Sequence, residues 1–472
     1  MRRTYAVFVV AAVLVCGCVG SGQGSDSSFI RWSPEPGHLA TEPYQPLSFE
    51  AEGADGTGVA WYVDGSHEGD GTQFSYMPKS EGTHTVTASI GTRDGMSSLL
   101  WEVTVAIDLA ALMEEVSALR ALPFVDRVRV EDITRDELRA RLGDELAASR
   151  DQLAVTQAIF EALYVWDGTD LYEEMLSLYA GSIEGMYDYD TGIFFTVSDS
   201  GKPPAATRLT MAHELVHVLQ DQTYGILALM DGCLDDDADL AIQSLLEGDA
   251  SHLEAAYVTG RPLPELQALY AYYLTLDMPD IHPFMASLAY FPYVYGEAFV
   301  AAVADGRSSD ALAEVYASPP SCTKHILHPE AYLAGVVPEE VGSSGINGFF
   351  GMDESVLGEG MLLTILSQHL PYQMAETAAD GWNGDRYGYY VKDDTYVFTW
   401  NVAWERDHDA FEFAEAWSAY LEAATGVEPW WEGAALIHEG DEQTACLGIE
   451  GRTTTLYISN DHSMALQRQA SE

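Results

Sequence analysis

His213-Glu214-Leu215-Val216-His217 is the stretch on which the reading of this chain turns. On an α-helix, residues i and i+4 lie on one face, so both imidazoles can grip a single metal ion. The glutamate between them points to the neighbouring flank, where it can polarise a water held at the metal. The pattern is short, so its surroundings have to support it.

They do. Pro203-Pro204 suits the first turn of a helix, where a missing N–H costs nothing. Leu209, Ala212, Leu215, Val216 and Leu219 recur at helical spacing, and Gly225 is a natural stop. A metal site that keeps one position open for water needs three protein ligands. The best third ligand is Glu247, in Leu245-Leu246-Glu247-Gly248-Asp249-Ala250. This segment also reads as a helix. It follows the acidic run Asp235-Asp236-Asp237, which suits the positive end of a helix dipole. Gly248 would let the two helices, this one and that of His213 and His217, approach closely, and Gly260 would end the segment.

Taken together, His213-Glu214-x-x-His217 and Glu247-Gly248-Asp249-Ala250 resemble the gluzincins, the thermolysin-like zinc peptidases, and especially their compact minigluzincin branch. Gly185-Met186-Tyr187-Asp188 and Thr191–Val197 look like the strand that precedes the metal helix in such enzymes. His328-Pro329-Glu330-Ala331-Tyr332, Gly381–Arg386 and Trp404–Phe413 resemble segments of secreted relatives. The likeness spans roughly residues 120 to 425.

The resemblance implies Zn²⁺ held by His213, His217 and Glu247, with Glu214 as general base and a peptide or protein as substrate. It also implies a donor for the developing oxyanion, for which Tyr293, Tyr295 and His328 are the candidates. It makes Ile193–Val197 a sheet edge that pairs with an extended peptide, or else a strand that only covers the core. Two departures stand out. Glu247 lies thirty positions after His217, longer than in thermolysin. The position four residues after Glu247, an aspartate in those enzymes, is Ser251. Asp249 is a poor substitute for it, because i+2 points to another helix face.

The chain has 74 acidic and 22 basic residues, a formal charge of −52. Only Lys79, Lys202, Lys324 and Lys392 are lysines. Such a surface repels itself in dilute buffer and stays hydrated in brine, so it reads as an adaptation to high salinity. Nucleic acid is excluded as a partner, since phosphate binding needs basic clusters. With 47% hydrophobic residues, a large core can form.

Arg2-Arg3, the apolar run Ala6–Val15 and Cys18 read as an export signal with a lipobox-like end. Cys18 would then be lipidated, leaving the protein outside the cell and anchored to the membrane; simple cleavage is the alternative. Cys233, Cys322 and Cys446 remain, as one disulfide plus a thiol or as three thiols.

These signals divide the chain into a signal peptide and Gly/Ser linker (1–28), a β-sandwich (29–107) and a peptidase domain (108–472). The sandwich is immunoglobulin- or PKD-like, with Trp61 in its core. The expected class is α+β: a mainly helical zincin-like domain with a small antiparallel sheet, preceded by the sandwich. Helices are expected over Leu109–Leu122, Arg135–Leu146, Asp151–Val165 and Ala410–Ala423, a hairpin over 185–197, and a strand over Tyr396–Val402. Asp385-Arg386 is either a buried ion pair near the site or a surface bridge. Beyond Trp431 no clear pattern emerges. A catalytically silent surface protein on the same fold is the rival reading, and the intact His213-Glu214-x-x-His217 set argues against it.

Overall fold

A computed structural model describes residues 31–53, 58–92, 95–197, 202–275, 281–304 and 311–469. Cys16 and Cys18, with the rest of the expected export signal, lie outside the described residues. Among them, no helix is long and apolar enough to cross a membrane. The architecture is mixed α and β, with several separate sheets.

The N-terminal part is a three-stranded sheet facing a five-stranded one. Phe49 comes from the first, Trp61 and Trp101 from the second; all three are fully buried and in ring contact. Alternation in Gly82–Thr92 sends Val86, Ala88 and Ile90 into this core. Glu42 leaves the sandwich to pair with Arg208 of the next unit at 2.8 Å.

The middle of the chain is helical. Leu109–Arg120, Arg135–Ala148 and Arg150–Ala162 form close to where their periodicity predicts. Thr134 and Glu137 form a capping box at the start of the second. The metal helix, Pro204–Tyr224, begins at its proline and stops at Gly225 in the left-handed conformation. The ligand helix, Asp236–Val258, is capped by Asp235, whose carboxylate accepts from Ala238 N–H. It ends at Val258, two residues before the expected Gly260.

Leu215, Val216 and Leu219 are fully buried against Phe194, Phe195 and Leu253. Each such side chain is worth about 1.5–3 kcal/mol of transfer free energy. This fixes the roll of the metal helix and hence where its histidines point.

Three expectations need correction. First, the small sheet beside the metal helix is not purely antiparallel. Gly185–Asp188 and Ile193–Val197 form the expected hairpin, but Ile193–Val197 also pairs in parallel with Arg129–Ile133. Ile193–Val197 is therefore the central strand and cannot accept a peptide; the outer strand beside the metal helix is Gly185–Asp188, in which Met186, Tyr187 and Asp188 are buried.

Second, Gly248 faces a different helix from the one expected to carry its partner ligands. It crosses Gly296 of the tyrosine helix, Pro283–Ala304, so closely that a Cβ on either would overlap the other backbone.

Third, the C-terminal part carries a seven-stranded antiparallel sheet among the described residues, not a small one. Its last four strands, Trp430–Glu432, Ala435–Glu439, Thr444–Glu450 and Thr453–Ser459, lie where no pattern was read. For the last three of these the physical reason is burial on both faces, while Trp430–Glu432 is an exposed outer strand too short to show a period. Helix Asp407–Thr425 packs on strands of this sheet, and the final helix, His462–Gln469, contacts two of them. Ala435, Leu436, Ile437 and His438 are consequently all buried, and the period-2 signal disappears.

Candidate metal centre

The metal helix brings His213, Glu214 and His217 to one end of the central core, each less than a tenth exposed. The ligand helix supplies Glu247 from across the groove. Its carboxylate oxygen lies 3.1 Å from His213 Nε2 and 3.4 Å from His217 Nε2, and the two ring nitrogens are 3.2 Å apart. A tetrahedral ion with ligands at about 2.0–2.1 Å holds them roughly 3.3–3.4 Å from one another. The three donors thus stand at three corners of a tetrahedron of about the right size, and these residues could hold such an ion.

The outer partners explain why both Nε2 atoms face inward. His213 Nδ1–H donates to Glu254 Oε1 at 2.9 Å, and His217 Nδ1–H donates to Gln220 Oε1 at 2.9 Å. In the neutral rings each bond selects the tautomer that leaves the Nε2 lone pair free. Two lone pairs facing each other at 3.2 Å repel unless a cation or a proton lies between them.

Gln220 is itself held. Its amide donates to Leu246 O at 3.0 Å and to Asp249 Oδ2 at 3.2 Å. Asp249 is buried, pairs with Arg120 at 2.9 Å and accepts from Tyr316 Oη. Asp249 therefore supports His217 at one remove, through Gln220, and does not touch a histidine. The carboxylate that does touch a histidine is that of Glu254. It sits seven residues beyond Glu247, two helical turns along the same face, and that spacing is a signal the sequence carries but the four-residue rule passes over.

Electrostatics at the site follow from crowded carboxylates in a buried space. Burial pushes the Glu214 carboxyl up, offset in part by His217 and His213. Burial opposes charge on His213, but Glu247 and Glu254 outweigh it and hold the ring well above its ordinary value. Burial likewise disfavours the charged Glu247, and His217 and His213 overcome it, so this carboxyl lies below its usual range. Lys202 bridges to Glu184 at 2.7 Å and is within electrostatic reach of Glu214.

Of the three oxyanion-donor candidates, only Tyr293 is at the site. Its ring lies over His213, with centroids 6.1 Å apart and planes at 24°. Its hydroxyl bonds to Glu247, whose charge, with burial and Glu214, holds the phenol well above its ordinary value. The Gly248–Gly296 crossing sets this placement, since Tyr293 is one turn before Gly296. Tyr295 instead donates to Tyr372 Oη at 3.1 Å. His328 pairs with Glu359 in a separate cluster.

Asp385 and Arg386 form no pair with each other, because successive strand residues point to opposite faces. Asp385 is buried and accepts from Leu357 N, Gly358 N and Trp382 Nε1; Arg386 bridges to Glu354 at 3.2 Å. Cys233, Cys322 and Cys446 are free thiols.

Residues 337–468 match a family described as a domain of unknown function, DUF8575. No curated protein matches the chain. Among solved structures, it is similar to fibronectin(III)-like modules of Clostridium thermocellum CbhA. That match has 16% identity, covers 16% of this chain and 94% of that one, and has a TM-score of 0.15. A quinonprotein alcohol dehydrogenase-like protein from Bacteroides thetaiotaomicron VPI-5482 matches at 17% identity over 16% of this chain and 18% of that one, also with a TM-score of 0.15.

Proposed function

We propose that this chain is an extracellular zinc-dependent metallopeptidase. The observation that carries the reading is the mutual spacing of His213 Nε2, His217 Nε2 and the Glu247 carboxylate, with Glu214 on the adjoining flank. Zinc at these ligands would supply Lewis acidity and would lower the pKa of a water to about 7.

The chain's own groups do the rest. Glu214 takes the proton of the attacking water and passes it to the leaving amine. Tyr293 Oη, beside Glu247, donates to the developing oxyanion. Glu254 and Gln220 keep both imidazoles in the metal-binding tautomer. An extended peptide would add along the outer strand Gly185–Asp188, at its Gly185 end. Gly185 favours this, because a Cβ there would press on Thr210 and Glu214, so the strand runs directly beside the general base. In this reading the immunoglobulin- or PKD-like sandwich is a spacer and lipidated Cys18 the membrane anchor. The charge of −52 keeps the surface hydrated in brine.

The test is peptide cleavage by the full chain in molar salt, beside its Glu214→Gln variant. The variant is expected to keep its zinc and to lose at least about a hundredfold in turnover. Undiminished proteolysis in the variant would remove Glu214 from the mechanism. Zinc held by the native chain without cleavage of any peptide in a mixed library would favour a silent binding protein.

A further inference from the structure

A second group of metal-type donors lies apart from the first, where three segments meet. His328 follows the short helix Thr323–Leu327, Glu359 sits in the first turn of helix Gly358–Leu366, and Asp380 precedes strand Trp382–Lys392. One ligand atom from each lies within 4.8 Å of the other two. His328 Nε2 is 2.6 Å from Glu359 Oε1.

Glu359 is only 2% exposed, yet its Oε2 has no hydrogen-bond partner. A buried carboxylate oxygen left in that state costs several kcal/mol, on the order of the desolvation of a charged group. Lys324 Nζ stands 3.9 Å from that oxygen and is already committed, donating to Trp382 O at 2.6 Å and pairing with Glu405 at 2.9 Å. Arg406 is engaged with Asp409 at 2.9 Å. Glu359 and Asp380 thus face one side of the His328 imidazole, and Glu330 stands 3.8 Å from its other nitrogen.

The surroundings hold these donors in place. Asp385 accepts from Leu357 N and Gly358 N on one side and from Trp382 Nε1 on the other, clamping the segments that carry Glu359 and Asp380. Gly381 O accepts from Glu405 N at 2.8 Å. His328, Gly381–Trp382 and Glu405–Arg406 belong to three motifs to which the peptidase reading gives no task. Asp380 is exposed, so the cluster opens to solvent.

We propose that His328, Glu359 and Asp380 form a second divalent-cation site, separate from the His213–His217–Glu247 centre. One imidazole nitrogen and two carboxylates suit an ion of the zinc or manganese type. A divalent cation would satisfy the orphaned Glu359 oxygen and neutralise both carboxylates.

The test is metal stoichiometry of the full-length chain in molar salt, with Zn²⁺ and Co²⁺ as probes. The native chain is expected to retain two equivalents. A His213→Ala/His217→Ala variant should keep one. Adding Asp380→Ala, at an exposed position, should weaken that one by at least about tenfold, since even loss of an outer partner has that effect. Glu359→Gln in the same background should abolish it, with circular dichroism confirming the fold. A folded His213→Ala/His217→Ala chain that holds no ion overturns the proposal, as does an ion indifferent to Asp380. If the native chain holds one equivalent and loses it with Asp380→Ala alone, it is the peptidase reading that falls.

Discussion

The two His–carboxylate clusters differ in how the chain assembles them. The first takes its histidines from consecutive turns of one helix and its glutamate from a neighbouring helix. The second takes one donor from each of three segments, and His328 and Asp380 are fifty-two residues apart. A helix writes its geometry into the sequence as an i, i+4 repeat; a meeting of three loops writes nothing periodic. The two clusters still share a part. The ligand helix carries Glu247 in its middle and Asp237 in its first turn. Asp237 is buried and accepts from Thr323 N, at the helix that leads to His328. Ten residues of helix separate the two sites along it, about 15 Å.

The comparison can be broken at several points. The largest expected effect after Glu214 is at Tyr293. Tyr293→Phe removes the hydroxyl beside Glu247 and should lower kcat about a hundredfold with little change in KM. Tyr295→Phe, whose hydroxyl serves Tyr372, should leave kcat within about twofold in the same assay. Equal losses in the two variants would mean the tyrosine helix acts by packing alone.

Glu254→Ala should weaken zinc binding about 10- to 100-fold, read by competition with a chelator, because His213 loses the acceptor that fixes its tautomer. Unchanged affinity would show that Glu254 is only a neighbour.

At the second cluster the corresponding clamp is Asp385, and the expected effect is on stability. Asp385→Ala orphans three buried N–H donors and should cost about 3 kcal/mol or more by urea unfolding. Burial pushes this carboxyl up to about 6. Its unfolded value is about 3.9, so the folded chain binds this proton more tightly. Its contribution to stability is fully present below about pH 4 and is lost as pH rises through about 6. The variant should therefore lack that part of the pH slope, measured over this window.

The smallest effect separates neither cluster but acts on both. Raising salt from about 0.1 M to several molar should raise the melting temperature by several degrees by screening the −52 charge. A lower melting temperature in salt would contradict that account of the surface.

What the sequence reveals depends on whether a local period survives burial. The metal helix is legible from Pro204 to Gly225 because one stripe is apolar and its stop is a glycine. Trp61 and its strand are legible because one face of that sheet is wet. Gln220 and Glu254 are not, since their roles depend on which helix lies opposite. Tyr293 cannot be told from Tyr295 without the Gly248–Gly296 crossing, which turns one ring over His213 and the other toward Tyr372. The last three strands vanish from the pattern because both faces of the sheet are covered there. The parallel partner of Ile193–Val197 comes from some sixty residues earlier, beyond any local signal.

The most direct test of the central claim is an anomalous difference map at the zinc edge, from crystals of the full chain grown with Zn²⁺. The account predicts a peak about 2.0–2.2 Å from His213 Nε2, His217 Nε2 and a Glu247 oxygen. A map from the folded chain with no density between these three residues would contradict it.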